Sequence, residues 1–317
     1  MFFEKLFSSL NKDQAYFRSV KINDVNTVSG TRKNRIVCPQ SDTMKILQKR
    51  LRNWLRKQFV IRCPSATGSL PGSSPEKNVS RHRRKNAGGN YFFPRYFVLM
   101  DIQNAYTSVS LPKLAEIVCG IEPTLFGKEQ EMLLFLKQYC SQNEAGLAVG
   151  AGASQDLFNI FCEVMIDQEL RVLCEKHQIT YTRYLDDMTF SSNFPIGKRT
   201  RRAIRLIIEK SGMSVNLKKI HCYDLKKGSI TINGIGVDID GNIFTPRHFT
   251  NYLSGLLHKV IYKNEEIDPR VVLGKINVFV RTLKVKGSAP NSTERKVQKL
   301  CDTYVILHKN KKEWEMV

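Results

Sequence analysis

The chain has 317 residues, enough to bury a sizeable hydrophobic core in about two or three lobes. Lysine and arginine number 50 against 29 aspartates and glutamates, and the formal charge of +21 favours a polyanionic partner, of which nucleic acid fits best. No apolar run approaches the ~20 residues of a membrane-spanning helix, and the eight cysteines form no C-x-x-C pair. We therefore expect a cytoplasmic protein with reduced cysteines, no membrane contact and no structural zinc.

A basic helix is predicted over residues 41–57, after a basic turn and a short strand at residues 31–39. Ser41 or Asp42 is a suitable N-cap, and apolar residues recur at helical spacing. The opposite face is basic and includes Arg50. We expect this face to contact nucleic-acid phosphates, and an ordinary solvated face is the alternative.

Residues 64–90 are rich in proline, glycine, serine and basic side chains, which predicts a long mobile loop. Its basic cluster contains Arg83 and Arg84. The loop is either a disordered insertion or an arm that becomes ordered on nucleic acid, and the composition does not separate these two interpretations.

Residues 96–106 form an apolar run interrupted by Asp101. This pattern predicts a buried strand that presents one carboxylate at its edge, because an unpaired buried charge would be costly. Helices are predicted over residues 111–140, and a turn of small residues at 146–155 leads into a helix over 156–176.

Asp186 and Asp187 are adjacent carboxylates between β-prone residues on both sides. On a straight strand their side chains would diverge, so we place them at a hairpin turn; an ordinary surface turn is the alternative. A basic helix is predicted next, over residues 197–211. A hairpin strand over 229–238 with a turn at 240–241 follows, before a basic helical region begins at Pro246.

Two motifs occur in order along the chain. Tyr184-Leu-Asp-Asp187 resembles the Y-x-D-D motif of reverse transcriptases, and Asp101-Ile-Gln-Asn-Ala-Tyr106 resembles their D-x-x-x-[AF]-[YF] motif. The glycine-rich turn lies between them, and Asn216 and Lys219 follow as an Asn-x-x-Lys element. Residues 182–192 are similar to the T-R-Y-A-D-D-L-T-F-S of bacterial retron enzymes.

Four departures separate the chain from the retron pattern. Asn90 replaces the histidine of an N-A-x-x-H element, Asn233-Gly234 stands where retrons have V-T-G, and Leu147-Ala-Val-Gly150 replaces L-P-Q-G. Gln155 follows Ser154 where retrons have Ser-Pro, which resembles the enzymes of diversity-generating retroelements.

The resemblance covers roughly residues 30–245 and implies an α+β, right-hand polymerase fold with fingers, palm and a small helical thumb. Its palm is an antiparallel sheet packed on helices. The implied domains are an N-terminal fingers segment at 1–95 with the mobile basic loop at about 64–90, a palm at 96–245 with a fingers insertion at about 111–145, and a thumb at 246–317.

The implied reaction is RNA-directed DNA synthesis by two-metal nucleotidyl transfer, with two Mg²⁺ ions or Mn²⁺ as substitute. The resemblance makes Asp101 and Asp186 the bridging ligands and Asp187 a less direct one, and it places the Ile102 backbone near the triphosphate. Tyr106 would exclude a 2′-hydroxyl as a steric gate, with a core aromatic residue as the alternative.

The remaining implied site residues bind nucleotide or nucleic acid. Lys33 and Arg35 would clamp the triphosphate. Lys219 would act as an acid near the leaving pyrophosphate, unless it is an exposed structural lysine. The residues expected beneath the new base pair are Val149, Gly150 and Ser154, and those expected on duplex phosphates in the thumb include Lys259, Lys275, Arg281 and Lys284.

The implied biological setting is a retron or related anti-phage defence system that makes cDNA from an associated non-coding RNA. Expected partners are that RNA and its cDNA, dNTPs, an effector or second protein, and a further copy of the chain. The alternatives are a protein-primed or template-independent DNA polymerase, a diversity-generating retroelement enzyme, and a catalytically silent RNA-binding scaffold.

Overall fold

The computed structural model describes residues 2–25, 32–59, 63–142, 145–286 and 289–314. Helices occupy much of this part of the chain. They are α1 (Phe2–Phe7), α2 (Asp42–Phe59), α3 (Pro75–Ser80), α4 (Leu111–Ile121), α5 (Glu129–Tyr139), α6 (Ser154–Cys162), α7 (Gln168–Lys176), α8 (Lys198–Lys210), α9 (Arg247–Tyr262), α10 (Pro269–Lys286) and α11 (Ser292–Trp314).

The strands are short and form antiparallel pairs. They are β1 (Val20–Val25), β2 (Arg32–Val37), β3 (Arg84–Lys85), β4 (Tyr91–Phe92), β5 (Tyr96–Gln103), β6 (Thr180–Tyr184), β7 (Asp187–Ser192), β8 (Ser214–Val215), β9 (His221–Asp224), β10 (Ile230–Ile232), β11 (Ile235–Val237) and β12 (Ile243–Phe244). Of the helices that the structure describes, none is long and apolar enough to cross a membrane.

The chain divides into two compact units. The first unit comprises residues 1–74 and 95–223, and the second comprises residues 75–94 and 224–317. These boundaries differ from the predicted domains because residues 75–94 belong with the C-terminal segment. The reason is packing, since α3 contacts both β11 and α10 and buries Val79 completely.

A five-stranded sheet forms the centre of the first unit, in the order β6-β7-β5-β8 with β9 also paired to β5. Helices α2, α4 and α6 contribute Leu47, Leu114 and Phe158 to the same core as Met100 of β5 and Phe190 of β7. This antiparallel sheet packed on helices confirms the predicted α+β class and the predicted strand that carries Asp101.

Helix α2 begins where the sequence predicts. The Ser41 hydroxyl accepts a hydrogen bond from the Met44 main-chain N–H at 3.2 Å, which is N-cap geometry. The predicted helix over residues 156–176 is interrupted, because a single π-helical turn at Glu163–Asp167 joins α6 to α7.

The second unit contains a three-helix core formed by α9, α10 and α11, with Leu257, Phe279 and Cys301 buried among them. This confirms the predicted helical C-terminal region. The predicted strand over residues 229–238 is instead two strands, β10 and β11. They meet at Asn233-Gly234, where both residues have positive φ angles of 48° and 84°, as a type I′ turn requires.

The segment predicted as one long loop, residues 64–90, holds helix α3 and strand β3, and β3 pairs with β4 just beyond it in a hairpin. Pro75 at the first helical position and Glu76 in the first turn favour a helix start. The Asn86 carboxamide oxygen accepts from the Asn90 main-chain N–H at 3.0 Å and thereby closes the hairpin turn.

Candidate active site

Three aspartates meet at one end of the central sheet. Asp101 on β5 is the direct cross-strand partner of Asp187 on β7. Asp186 immediately precedes Asp187 in the turn that joins β6 to β7. The main-chain N–H of Ile102 donates to the Asp186 carbonyl at 3.0 Å, which ties this turn to β5. The structure therefore brings together the residues that the sequence predicts as catalytic.

The hairpin turn consists of Leu185 and Asp186, one residue earlier than the predicted Asp-Asp turn, and Asp187 opens β7. Leu185 has φ +57°, a left-handed conformation that costs an L-residue about 1–2 kcal/mol. Such strain persists only where surrounding contacts hold it. The turn that presents Asp186 is thus a constrained one.

Lys219 compensates the charge of Asp101. Its ammonium Nζ lies 2.8 Å from Asp101 Oδ2, and the Asp101 side chain is only 15% exposed. The Asn216 main-chain N–H donates to the Asp101 carbonyl at 2.8 Å, so the segment that carries Lys219 is attached directly to β5. The predicted Asn-x-x-Lys element and the predicted catalytic aspartate therefore form one site.

The donor set fits divalent cations of the magnesium type. The oxygens available are the carboxylates of Asp101, Asp186 and Asp187 and the main-chain carbonyl of Ile102, all of them hard ligands. Within the described residues, no group of three or more histidine, cysteine, aspartate or glutamate side chains converges as a metal cage. Mg²⁺ needs only one or two carboxylates when waters and substrate phosphates complete its shell, so these residues fit a site that substrate completes.

Tyr106 lies just beyond β5, with its ring 5.2 Å from the ring of Phe158 between centroids. Burial raises the pKa of the Tyr106 hydroxyl, and the negative charge of Asp186 raises it further, so the phenol stays neutral. Its role as a steric gate stays a prediction.

The small-residue turn at residues 146–155 packs against the segment that follows Asp101. Gly146 has φ +62°, and a Cβ at this position would lie 2.4 Å from the Thr107 carbonyl oxygen, so only glycine fits. The Leu147 main-chain N–H donates to the Tyr106 carbonyl at 2.8 Å. This contact places the turn beside the predicted gate.

Three predicted pocket residues lie on this turn. Ser154 is 2% exposed, and its hydroxyl donates to the Ala148 carbonyl at 2.7 Å. The Val149 carbonyl accepts from the Cys38 N–H at 2.9 Å. The Gly150 carbonyl accepts from the side chain of Gln40, also at 2.9 Å. Ser154 therefore shapes the turn from within, while Val149 and Gly150 connect it to the segment that follows β2.

Lys33 and Arg35 lie on β2, opposite Asp24 and Ile22 of β1. Their side chains lie outside the described part of the structure, so their contact with a triphosphate stays a prediction. The small-residue turn is bonded through Val149 and Gly150 to Cys38 and Gln40, just after β2. The end of β2 therefore lies beside this turn.

Arg50 has a structural partner. Its guanidinium donates to the carbonyls of Leu6 at 2.9 Å and Ser8 at 2.6 Å, which satisfies the C-terminal end of α1. A phosphate contact of Arg50 would have to compete with these bonds.

The other predicted phosphate-binding residues belong to the second unit. On α10, Arg281 and Lys284 are exposed and Lys275 is half-buried, whereas Lys259 on α9 pairs with Glu265 at 3.3 Å. The half-buried Arg83 stacks on the Tyr91 ring at 3.9 Å from its centroid, and Arg84 begins β3. Their binding to nucleic acid stays a prediction.

The sequence analysis does not predict the roles of two residues near the hairpin, Arg183 and Gly68. Arg183 on β6 is 0% exposed, and its guanidinium reaches the carbonyl of Leu185. Gly68 is packed so closely against Tyr184 and Leu185 that no side chain fits there. A charged residue among strand formers was an available signal for Arg183, whereas nothing in the local sequence marks Gly68.

Residues 22–239 match the family described as reverse transcriptase (RNA-dependent DNA polymerase). The chain is 22% identical over 236 residues to the retron Ec83 reverse transcriptase of Escherichia coli, which covers 71% of each chain. It is 24% identical over 247 residues to the retron Ec73 reverse transcriptase of the same species, with 73% of this chain and 74% of that one covered.

A solved telomerase from Candida albicans, in complex with a TWJ fragment of telomeric RNA, shares the fold with a TM-score of 0.51 at 10% identity. The likeness covers 92% of this chain and 64% of the telomerase chain, so this chain spans less than two thirds of that protein. Because the family match extends over most of the sequence and includes the aspartate-bearing strands, this chain belongs to the reverse transcriptase family, the RNA-directed DNA polymerases, and is similar to retron enzymes.

Proposed function

We propose that this reverse transcriptase makes cDNA from a non-coding RNA of a retron or related element, with Asp101, Asp186 and Asp187 as its catalytic residues. The observation that carries the proposal is the cross-strand pairing of Asp101 with Asp187, with Asp186 in a turn bonded to the backbone of Ile102.

The reaction is attack of a primer 3′-hydroxyl on the α-phosphorus of a dNTP, with pyrophosphate as leaving group. When bound, two Mg²⁺ ions would stabilise the attacking and leaving oxygens, and Mn²⁺ is the expected substitute. Asp101 and Asp186 would hold them, with Asp187 as the less direct ligand and the Ile102 backbone near the triphosphate. Asp187 is the most exposed of the three aspartates, which suits its position on the primer side.

We propose that the Lys219 ammonium shifts from Asp101 to the leaving pyrophosphate during the reaction and donates a proton to it. The 2.8 Å ion pair keeps the ammonium at the reaction centre, and its 41% exposure leaves the side chain able to reorient. General acid catalysis of this kind contributes about 10²- to 10⁴-fold in rate.

The remaining predicted residues complete the pocket. Tyr106 would exclude the 2′-hydroxyl, Lys33 and Arg35 would clamp the triphosphate, and the turn with Val149, Gly150 and Ser154 would lie beneath the new base pair. The rigid attachment of that turn to Tyr106 and to the end of β2 supports this arrangement. In the second unit, residues 246–317 would form the thumb, and its exposed lysines and arginines would grip duplex phosphates.

The biological setting extends the proposal. Similarity to enzymes named as retron reverse transcriptases supports a dedicated RNA template, and we infer an anti-phage role with an effector protein and self-association as parts of that system. All eight cysteines are free thiols, which suits the reducing cytoplasm.

Primer extension on an RNA template tests the proposal. We expect dNTP incorporation that requires Mg²⁺, is abolished by Asp186→Asn with Asp187→Asn, and is retained in Asp240→Asn, a matched change of an exposed aspartate in the second unit. A product whose sequence is the same with and without RNA would support the protein-primed or template-independent alternative. Activity that survives the double change would refute the site.

A further inference from the structure

Arg183 stands at the centre of a buried polar cluster behind the aspartate hairpin. Its Nε lies 3.1 Å from both carboxylate oxygens of Asp167, and its Nη2 donates to Asp167 Oδ2 at 2.7 Å. Its Nη1 donates to the Asn159 side-chain oxygen at 2.9 Å and to the Leu185 carbonyl at 3.1 Å. The Arg183 guanidinium thus joins the Asp167 carboxylate to the Leu185 carbonyl of the hairpin turn.

The cluster is closed off from the protein surface and is bonded on several sides. Both Arg183 and Asp167 are completely buried, and the Tyr181 hydroxyl donates to Asp167 at 2.7 Å. Burial disfavours the charged guanidinium, but Asp167 outweighs this effect and keeps the pKa of Arg183 well above its ordinary value. The π-helical turn ends at Asp167, so the local irregularity between α6 and α7 lies where the carboxylate meets the arginine.

The backbone of Arg183 is fixed as well. Its N–H donates to the Ser65 carbonyl at 2.9 Å, and its carbonyl accepts from the Thr67 N–H at 2.7 Å. The guanidinium and both main-chain groups are therefore anchored, which leaves the strand end at Tyr184 little freedom to shift. A polar cluster satisfied on all sides specifies a single arrangement.

We propose that Arg183, oriented by Asp167, is a positioning residue that holds the strained Leu185 turn and thereby aims the carboxylates of Asp186 and Asp187. The inference rests on the proposed catalytic role of these aspartates. Leu185 is left-handed at φ +57°, and the Arg183 bond to its carbonyl is a contact able to hold that peptide in place. Without the bond the turn relaxes to an unstrained form and the carboxylates move.

A purely structural ion pair and a positioning device respond differently to apolar replacement. A buried pair exchanged together for apolar residues of similar volume often leaves stability unchanged. Such an exchange cannot replace the donor to Leu185. We therefore compare a triple variant, Arg183→Met with Asp167→Leu and Tyr181→Phe, with the wild type.

The matched control is the neighbouring pair, Arg171→Met with Glu163→Leu. Arg171 bonds to Glu163 and to Ser65, and Glu163 begins the same π-helical turn. This control removes a neighbouring, partly buried charge pair, in which Arg171 is 33% exposed and Glu163 7% exposed, without removing the donor to the turn.

The measurements are Tm, primer–template Kd and kcat for single-nucleotide incorporation at saturating dNTP and Mg²⁺. We expect the triple variant to fold with a lowered Tm, because the Asn159 side-chain oxygen and the Leu185 carbonyl lose their donor, and to keep Kd near wild type. Its kcat should fall about 10- to 100-fold, since a misplacement of about 1 Å can cost about 100-fold in rate. The control variant should keep the wild-type kcat. A folded triple variant with the wild-type kcat overturns the proposal.

If the triple variant does not fold, the single variant Arg183→Lys tests whether Arg183 positions the hairpin turn. A lysine can reach Asp167 but cannot span Asp167 and the Leu185 carbonyl together, so a folded protein with kcat reduced at least about tenfold is expected. Wild-type kcat in this variant overturns the inference. Asp186→Asn in the same assay distinguishes failure of the positioning role of Arg183 from failure of the proposed function. Wild-type kcat in Asp186→Asn would refute the catalytic role of the aspartates, whatever the Arg183 variants show.

Discussion

Gly68→Ala is expected to impair catalysis through the backbone of the aspartate hairpin. A Cβ at residue 68 would lie 2.7 Å from the Leu185 main-chain nitrogen, 2.9 Å from Leu185 Cγ and 3.0 Å from the Tyr184 carbonyl carbon. Two of these three atoms are backbone, so a rotamer change cannot relieve the contact. Either the segment around residue 68 or the hairpin has to move.

The magnitude follows from that overlap. Opening the 2.7 Å contact to the 3.4 Å of ordinary van der Waals contact needs about 0.7 Å of movement. Overpacking of this kind costs about 1–3 kcal/mol of stability. Because a misplacement of about 1 Å can cost about 100-fold in rate, we expect kcat to fall about 10- to 100-fold, or roughly 1.4–2.7 kcal/mol of barrier.

The assay is single-nucleotide incorporation on a primed RNA template at saturating dNTP, with urea unfolding of each variant. Gly120→Ala is the control, because a Cβ there meets no atom within 4 Å and the residue lies inside α4. That change should leave kcat unchanged and raise stability by about 0.4–1 kcal/mol. A folded Gly68→Ala variant with wild-type kcat would refute the reasoning.

Three further predictions follow from the described contacts. Tyr106→Val should raise ribonucleotide incorporation relative to deoxyribonucleotide by about tenfold or more, measured as a ratio of kcat/KM, and an unchanged ratio would exclude the gate. Lys219→Met should lower kcat by about 100-fold or more with little change in Tm, because its ion pair with Asp101 is partly exposed; an unchanged kcat would show a structural lysine. Burial, with the charge of Arg84 in addition, lowers the pKa of His82 from 6.5 to about 3, so the stability it contributes is present above pH 6.5 and lost as pH falls. Urea unfolding should show about 2 kcal/mol less stability at pH 5.0 than at pH 7.5, and His82→Gln should lack that part of the slope; an equal slope in both proteins would contradict the assignment.

The placement of the three aspartates at one end of the sheet was predictable because it depends on residue types in a fixed order. Asp101 follows an apolar run within its strand, and Asp186 and Asp187 interrupt a β-prone segment, so each carboxylate is exceptional in its own context. The helix start at Ser41 was equally accessible, since capping is a local interaction. The family resemblance then supplied the connection between distant motifs.

What the sequence left open depends on packing between distant segments. Packing decides the register that places Asp101 opposite Asp187 and the close approach of Gly68 to Leu185. The π-helical turn before α7 ends at Asp167, where that residue meets Arg183 from a distant segment. The shift of the hairpin turn by one residue has the same origin, because the Arg183 guanidinium supports a left-handed Leu185 that local propensity disfavours. The composition of residues 64–90, rich in proline, glycine, serine and basic side chains, predicts a loop, although α3 within this segment buries Val79 in the second unit.

The central claim is that Asp101, Asp186 and Asp187 form a metal site for DNA synthesis. Its most direct test is Mn²⁺ binding, measured by electron paramagnetic resonance on the protein with a dideoxy-terminated primer, RNA template and the next dNTP. We predict two bound Mn²⁺ ions per wild-type complex and fewer in Asp186→Asn, with primer–template affinity unchanged. Equal Mn²⁺ stoichiometry in the wild type and in Asp186→Asn would contradict the claim.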